Sequence, residues 1–363
     1  NLNLSSESIE IKNEGSGSYF IKGDIENIKV PTDPNILFKI INVKQDFLSN
    51  RKIAIQTKNF FSFRLNKLYK LKNIKIDTIV NFDEIYFNNK YQNLIFLKDG
   101  TIKSKYEKDI FTAGLVSNFA FSDDLKLNNN YKNNKLKLSL KGKKNQIIKI
   151  NGKIRNESTL IDPKIFLNFL GLDTSIISDE NVYIETENDF KFELNNSKIE
   201  NYLVNSFINL DKLKFNKEIQ DTLYLKNIKT KLNFEDKLFK LDLKSNYSFF
   251  NQNYNNELDN NILNLKLGKN NSKTSDVEIF LQGDNNNIKI KEFKKYFNLP
   301  ESLIEDQIVN LDSNLLVNFS IDDKFNIKNL DVKSDFNFDK LDINYKSSLI
   351  KKYLENYKNK ILI

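Results

Sequence analysis

The chain has 363 residues, with 56 Lys or Arg against 48 Asp or Glu, a formal net charge of +8 and a mean hydropathy of −0.52. It contains no Cys and no His, which excludes disulfides, a thiolate nucleophile, Cys-ligated metal and any Ser–His pair. It has no Met and no Trp, and it reads as an internal piece of a longer protein.

Taken in chain order, the first punctuation is "NEGSG" (13–17), whose Gly-Ser-Gly lies between two alternating stretches with no helix behind it. That context reads as a hairpin turn and not as a phosphate loop. Asp33 then suits a helix N-cap and Pro34 a first helical position, with Ile36, Leu37, Ile40 and Ile41 at helical spacing. From Ile53 the apolar positions alternate: Ile53, Ile55, Phe61, Phe63 and Leu65 share one side. "KLKLSLK" (135–141) alternates Leu136, Leu138 and Leu140 with Lys and Ser, and "GKKN" (142–145) supplies a turn.

A second Asp-Pro pair, Asp162-Pro163, opens another helical stripe of Ile165, Phe166, Phe169 and Leu170, stopped at Gly171. "VYIETENDFKFEL" (182–194) keeps Val182, Ile184, Phe190, Phe192 and Leu194 on one side. After the turn "EDK" (235–237), "LFKLDLK" (238–244) does the same with Phe239, Leu241 and Leu243. Phe293, Tyr296 and Phe297 mark a third helix closed by Pro300, and "SSLIKKYLENYKNK" (347–360) a last amphipathic one. Strict period-2 alternation broken by short polar turns predicts antiparallel strands with one buried and one wet face.

The order also repeats. "NFDEIYFN" (81–88) returns as "NLDKLKFN" (209–216) and as "NFDKLDIN" (337–344). Ile53 to Leu65 map onto Val182 to Leu194 at an offset of 129, Gly23 onto Gly152, and Asp33-Pro34 onto Asp162-Pro163. A looser third copy opens near Gly283. Repeats of 128–131 residues divide the chain into units 5–133, 134–262 and 263–363, the last incomplete. The shared positions are apolar, Gly, Asp-Pro and Asn, which shape a backbone or face a core. About eight strands per repeat would give roughly 40 Å of sheet at about 4.8 Å per strand.

The expected fold is therefore mainly β: an elongated, curved antiparallel sheet built from tandem repeats, each with a short amphipathic helix. So few helices cannot cover so many strands. The apolar face must close on itself as a solenoid or sandwich, or curl into a trough that holds something apolar.

"LKLSLKGKKNQIIKINGKI" (136–154), followed by an Asp-Pro helix and long alternating strands, resembles the AsmA-like proteins of Gram-negative bacteria, in particular the large YhdP and TamB type. That family is similar to the eukaryotic bridge-like lipid-transfer proteins. The resemblance implies an inner-membrane anchor outside this segment, a periplasmic location, and a hydrophobic groove conducting phospholipid acyl chains towards the outer membrane. The groove would be lined by Ile53, Ile55, Phe61, Phe63, Leu65, Leu136, Leu138, Leu140, Val182, Ile184, Phe190, Phe192, Leu194, Phe239, Leu241 and Leu243, with Lys58, Glu185, Glu187 and Lys191 facing water. A self-packed β-solenoid or sandwich array, serving as a stalk or adhesin without a lipid, is the alternative.

No catalytic constellation emerges, so no enzyme activity, cofactor or metal is expected. Asp83-Glu84 is answered in the repeats by Asp211-Lys212 and Asp339-Lys340, which no catalytic carboxylate pair would tolerate. The acidic pairs Asp123-Asp124 and Asp179-Glu180 lack the spacing of a calcium loop. The Lys-rich, Arg-poor composition is what AT-rich codons produce, and the charge is spread evenly along the chain without a basic block. Nucleic acid is therefore not expected as a partner, and no run of apolar residues is long enough to span a bilayer.

Overall fold

The structure is a computed structural model. It describes residues 4–33, 48–49, 51–87, 96–120, 131–143, 146–164, 175, 178, 180–195, 198–214, 223–236, 238–249, 261–269, 274–289, 307–322, 324 and 326–339. The chain divides into two compact units, residues 1–161 with 184–206, and residues 162–183 with 207–363. Seventeen strands are described, and all the pairings with a described register are antiparallel.

In the first unit, β1 (Leu4–Ser5) and β2 (Ile9–Gly15) both pair with β3 (Ser18–Thr32). The meander continues through β4 (Ile53–Leu65), β5 (Leu71–Tyr86), β6 (Phe96–Glu107), β7 (Ile110–Ala120), β8 (Lys135–Lys143) and β9 (Ile148–Ile161), each strand paired with its predecessor. β10 (Val182–Asn195) pairs with β9, and β11 (Lys198–Lys214) comes next in the chain. The second unit holds the meander β12 (Leu223–Glu235), β13 (Leu238–Phe249), β14 (Ile262–Lys269), β15 (Thr274–Lys289), β16 (Ile308–Asp322) and β17 (Ile327–Phe338).

The three stretches expected to alternate, 135–141, 182–194 and 238–244, lie in β8, β10 and β13. Gly-Ser-Gly is the β2–β3 hairpin turn, with positive φ at Gly15, Ser16 and Gly17. Of the predicted helices, Pro163 and Lys164 are helical, and Asp162 Oδ1 accepts the Lys164 N–H at 2.8 Å as an N-cap neighbour would. The rest of that helix and those at 34–41, 293–300 and 347–360 lie outside the described residues. Residues 81–86 and 209–214 end β5 and β11, and 337–338 end β17.

The connections alternate in length. From β2 to β11, the β2–β3, β4–β5, β6–β7, β8–β9 and β10–β11 connections are tight turns, whereas β3–β4, β5–β6, β7–β8 and β9–β10 are longer. In an antiparallel meander this puts every tight turn at one end of the strands and every longer connection at the other.

Several irregularities return at the same spacing as the sequence repeat. Asn73, Asn201 and Asn329, each 128 residues after the last, all take positive φ (53°, 48° and 53°) near the start of β5, β11 and β17. Asn73 and Asn329 sit in bulges opposite Ser62–Arg64 and Asn318–Ser320. Asp99 and Asn227 (φ 49° and 51°) form bulges in β6 and β12. In both, a serine from the next strand reaches the bulge carbonyl: Ser117 Oγ lies 2.9 Å from Lys98 O, and Ser245 Oγ 2.9 Å from Lys226 O. Asn and Asp tolerate left-handed backbone better than other side chains, and each bulge bends its strand and increases its twist.

Equivalent strands lie six apart in the described order, β3, β9, β15 and β5, β11, β17. The expected count of about eight strands per period is therefore corrected to six among the described residues. The strands run up to 17 residues, so each uses more of the period. Six strands span roughly 29 Å at about 4.8 Å each.

Candidate functional site

The candidate site is the apolar face of the sheet. In the first unit it is organised in rows that cross the strands. Thr57, Val80, Ile102, Leu115, Leu138 and Gly152 are successive partners from β4 to β9. A parallel row nearer the tight turns runs Gly23, Phe61, Ile76, Tyr106, Phe111 and Gly142. In the second unit Leu243, Leu265, Ile279, Val317 and Val332 form such a row. Beside it, Leu241, Leu267, Val277 and Phe319 line a shallow open cleft of about 440 Å³.

Burial is graded along the strands. Towards the longer connections, Ile53, Ile55, Phe82, Leu97, Phe119 and Leu136 form a cluster no more than 9% exposed. The Val80–Leu138 row is half-buried. At the tight-turn end Ile76 and Phe111 are 39% and 41% exposed. The face is thus closed at one end of the strands and open at the other.

The residues expected to line a groove fall along this gradient. Ile53, Ile55, Leu136, Val182 and Ile184 are buried. Phe61, Phe63, Leu65, Leu138, Leu140, Phe190, Phe192, Leu194, Phe239, Leu241 and Leu243 are half-buried. Phe61 stacks with Phe63 at 6.0 Å and Phe190 with Phe192 at 6.1 Å. Each pair shields a glycine on the neighbouring strand: a Cβ on Gly23 would come within 3.0 Å of Phe61, and one on Gly152 within 2.1 Å of Phe190. Leu243 packs against Leu225, Ile228 and Tyr247. On the opposite strand parity, Lys58 pairs with Glu7 and Glu26, Glu187 pairs with Lys153, and Glu185 and Lys191 are exposed.

Sequence reading missed a polar chain that crosses the apolar face. Asn27 Nδ2 donates to Ile55 O at 3.2 Å, and its Oδ1 accepts from Thr57 N at 2.8 Å and from the Thr57 hydroxyl. Asn59 Nδ2 donates to Thr57 Oγ1, and Thr78 Oγ1 to Asn59 Oδ1 at 2.9 Å. Asn156, Thr186, Asn188 and Ser206 repeat this chain 128 or 129 residues later. Its members bond one another, so it serves the fold by satisfying polar groups at a bulge. The recurring Asn at 59 and 188 was the available clue.

The charge is also not even in space. In the first unit the tight-turn segments 12–19, 63–75, 105–112, 140–143, 146–150, 191–195 and 198–201 carry thirteen Lys or Arg against five Asp or Glu. The remaining described residues of that unit carry twelve against thirteen. This corrects the even spread read from the linear sequence: residues far apart in the chain share one rim because alternate turns fall at the same end.

Among the described residues no three carboxylates gather as a metal site, and no helix is long and apolar enough to cross a membrane. Comparison with protein-family models, with curated proteins and with solved structures finds no match.

Proposed function

We propose that this chain is a segment of a hydrophobic groove that binds and conducts phospholipid acyl chains between two membranes, in the manner of the AsmA-like proteins, from a periplasmic position with its anchor elsewhere in the protein. In this reading the groove lengthens through tandem repeats of about 128–131 residues, each with its short helix. The observation that carries it is the set of half-buried apolar rows running across the strands and opening towards the tight-turn end. A chain laid along such a row is held by area burial at about 25 cal/mol per Å², without polar contacts that would fix its position. Lipids of many headgroups are accepted, and they slide.

Residues under a tenth exposed offer no free surface to a ligand. Contact with acyl chains therefore falls to Phe61, Phe63, Leu138, Phe190, Phe192 and Leu241, while Ile53, Ile55, Leu136, Val182 and Ile184 hold the closed side. That closed side is also what a self-packed array without ligand predicts, and a crosslinking experiment separates the two. A photo-crosslinking residue at Phe190 should capture phospholipid in cells, and one at Lys191 should not. Equal labelling at both sites, or none, favours the self-packed array.

A further inference from the structure

We propose that the tight-turn rim of the first unit is a docking surface for an anionic lipid membrane. This surface adjoins the open end of the apolar face and shares Phe111 with it, and the proposal does not rest on the groove reading.

The rim combines two properties. Its segments carry an excess of eight positive charges, which exceeds the +7 of all the described residues of the unit because the remainder is slightly acidic. Three of its five acids, Glu14, Glu107 and Glu193, are already paired with Arg64, Lys105 and Lys149. Lys67, Lys70 and Lys72 take part in no ion pair among the described residues.

The same rim exposes large apolar side chains: Leu68 is 72% exposed, Tyr69 79%, Leu71 55%, and Ile110 and Phe111 41% each. Leu68 and Tyr69 are not on a loose loop. Asn66 Oδ1 accepts the backbone N–H groups of Leu68 and Lys70 at 3.0 and 2.9 Å, Tyr69 N donates to Asn66 O at 2.8 Å, and Asn66 N donates to Lys70 O at 3.2 Å. Tyr69 is held at φ 53°, a conformation a bulky side chain adopts only where its surroundings impose it. A tip fixed in this way presents Leu68 and Tyr69 outward without the ordering cost of a flexible loop.

Apolar and aromatic tips framed by lysines match the interfacial region of a bilayer, where aliphatic groups enter below headgroups that the ammonium groups contact. Nucleic acid fits less well. The only arginine of the rim is bonded to Glu14, and the aliphatic tips have no counterpart on a phosphate backbone. The corresponding turn segments of the second unit balance their charges: 231–236, 238–242, 265–269, 274–278, 317–322, 324 and 326–333 carry seven Lys against seven Asp or Glu. The surface thus belongs to the first unit.

The natural chain has no Trp, so Leu68→Trp and, as a control, Tyr183→Trp each provide a single tryptophan, excited selectively beside the tyrosines, in the full chain. With vesicles of phosphatidylglycerol the emission of the Leu68→Trp variant should shift to the blue, and that of the control should not. Vesicles of phosphatidylcholine should shift neither. Adding Lys67→Glu, Lys70→Glu and Lys72→Glu should weaken vesicle binding at least tenfold, whereas Lys132→Glu, Lys135→Glu and Lys137→Glu at the opposite end should leave it within twofold. Phe190→Glu should also leave the shift intact, which separates this surface from the groove. If the triple variant fails to fold by circular dichroism, Tyr69→Ser with Leu71→Ser in the Leu68→Trp chain replaces it under the same tenfold criterion. The proposal is overturned by absence of a shift, by an equal shift on both lipids, by equal loss with both charge sets, or by preferential binding of single-stranded polynucleotide at the rim.

Discussion

Phe190 lies directly over Gly152 on the neighbouring strand, so closely that a Cβ at residue 152 would fall 2.1 Å from the ring's Cζ. The ring occupies the space of the missing side chain, and Phe192 stacks on it in turn. Gly152→Ala should therefore destabilise the first unit by about 1–3 kcal/mol, the usual cost of overpacking. Gly114→Ala is the contrast: its nearest neighbour would be Leu138 O at 3.7 Å, and Ala should be neutral or slightly stabilising there. Urea midpoints of the two variants test this, and similar values would contradict it.

Asn134 is fully buried, and its Nδ2 has no hydrogen-bond partner among the described residues, while its Oδ1 accepts from Thr159 at 2.9 Å. At the matching place in the second unit, Asn261 and Asn286 exchange two amide hydrogen bonds of 2.6 and 2.8 Å. Thr159→Asn should complete the same exchange with Asn134 and stabilise by about 1 kcal/mol. An unchanged or lowered urea midpoint would count against the equivalence.

Asn201 takes φ 48° in β11, like Asn73 and Asn329 in their own strands. Asn201→Gly should be tolerated. Asn201→Val should cost about 1–2 kcal/mol, because a β-branched side chain is strained in left-handed backbone. Equal stability of the two variants would show that the backbone at residue 201 relaxes freely.

The Asp322 carboxylate accepts the backbone N–H groups of Lys324 and Asn326 at 2.9 and 3.0 Å, and Lys328 lies 3.0 Å away. These bonds, the Asn326 N–H first, hold its pKa well below the usual carboxylate range. A lowered pKa in the folded state means that the contribution to stability is complete above the ordinary value of 3.8 and is lost as pH falls below it. Amide exchange at Lys324 and Asn326 should therefore accelerate in Asp322→Asn at neutral pH, and the gap between variant and natural chain should narrow in acid. A gap independent of pH would refute this.

Charge within the face is a separate matter from fold. Phe63 is half-buried towards the open end, so water can partly solvate a carboxylate there. Phe63→Glu should leave circular dichroism intact while abolishing lipid capture at Phe190. Unfolding of this variant would place Phe63 in a closed core instead.

The sequence by itself determined the strands around Leu136, Phe190 and Leu241, the Gly-Ser-Gly hairpin and the recurrence at about 128 residues. Each is a local property: period 2 follows from the pleat, and a positive-φ turn follows from glycine. The pairing of Gly152 with Phe190, the Asn156–Thr186–Asn188 chain and the closing of bulges by Ser117 and Ser245 depend on the register between strands. Register joins residues some 20 to 40 positions apart, and no short window contains both partners. Only the tertiary structure decided that Ile53 and Leu136 share a buried cluster while Phe61 stays half-open, because burial depends on what stands over a side chain and not on its polarity. The same holds for charge. Lys12, Lys70, Lys108 and Lys149 are scattered along the sequence, and antiparallel folding brings them to one rim.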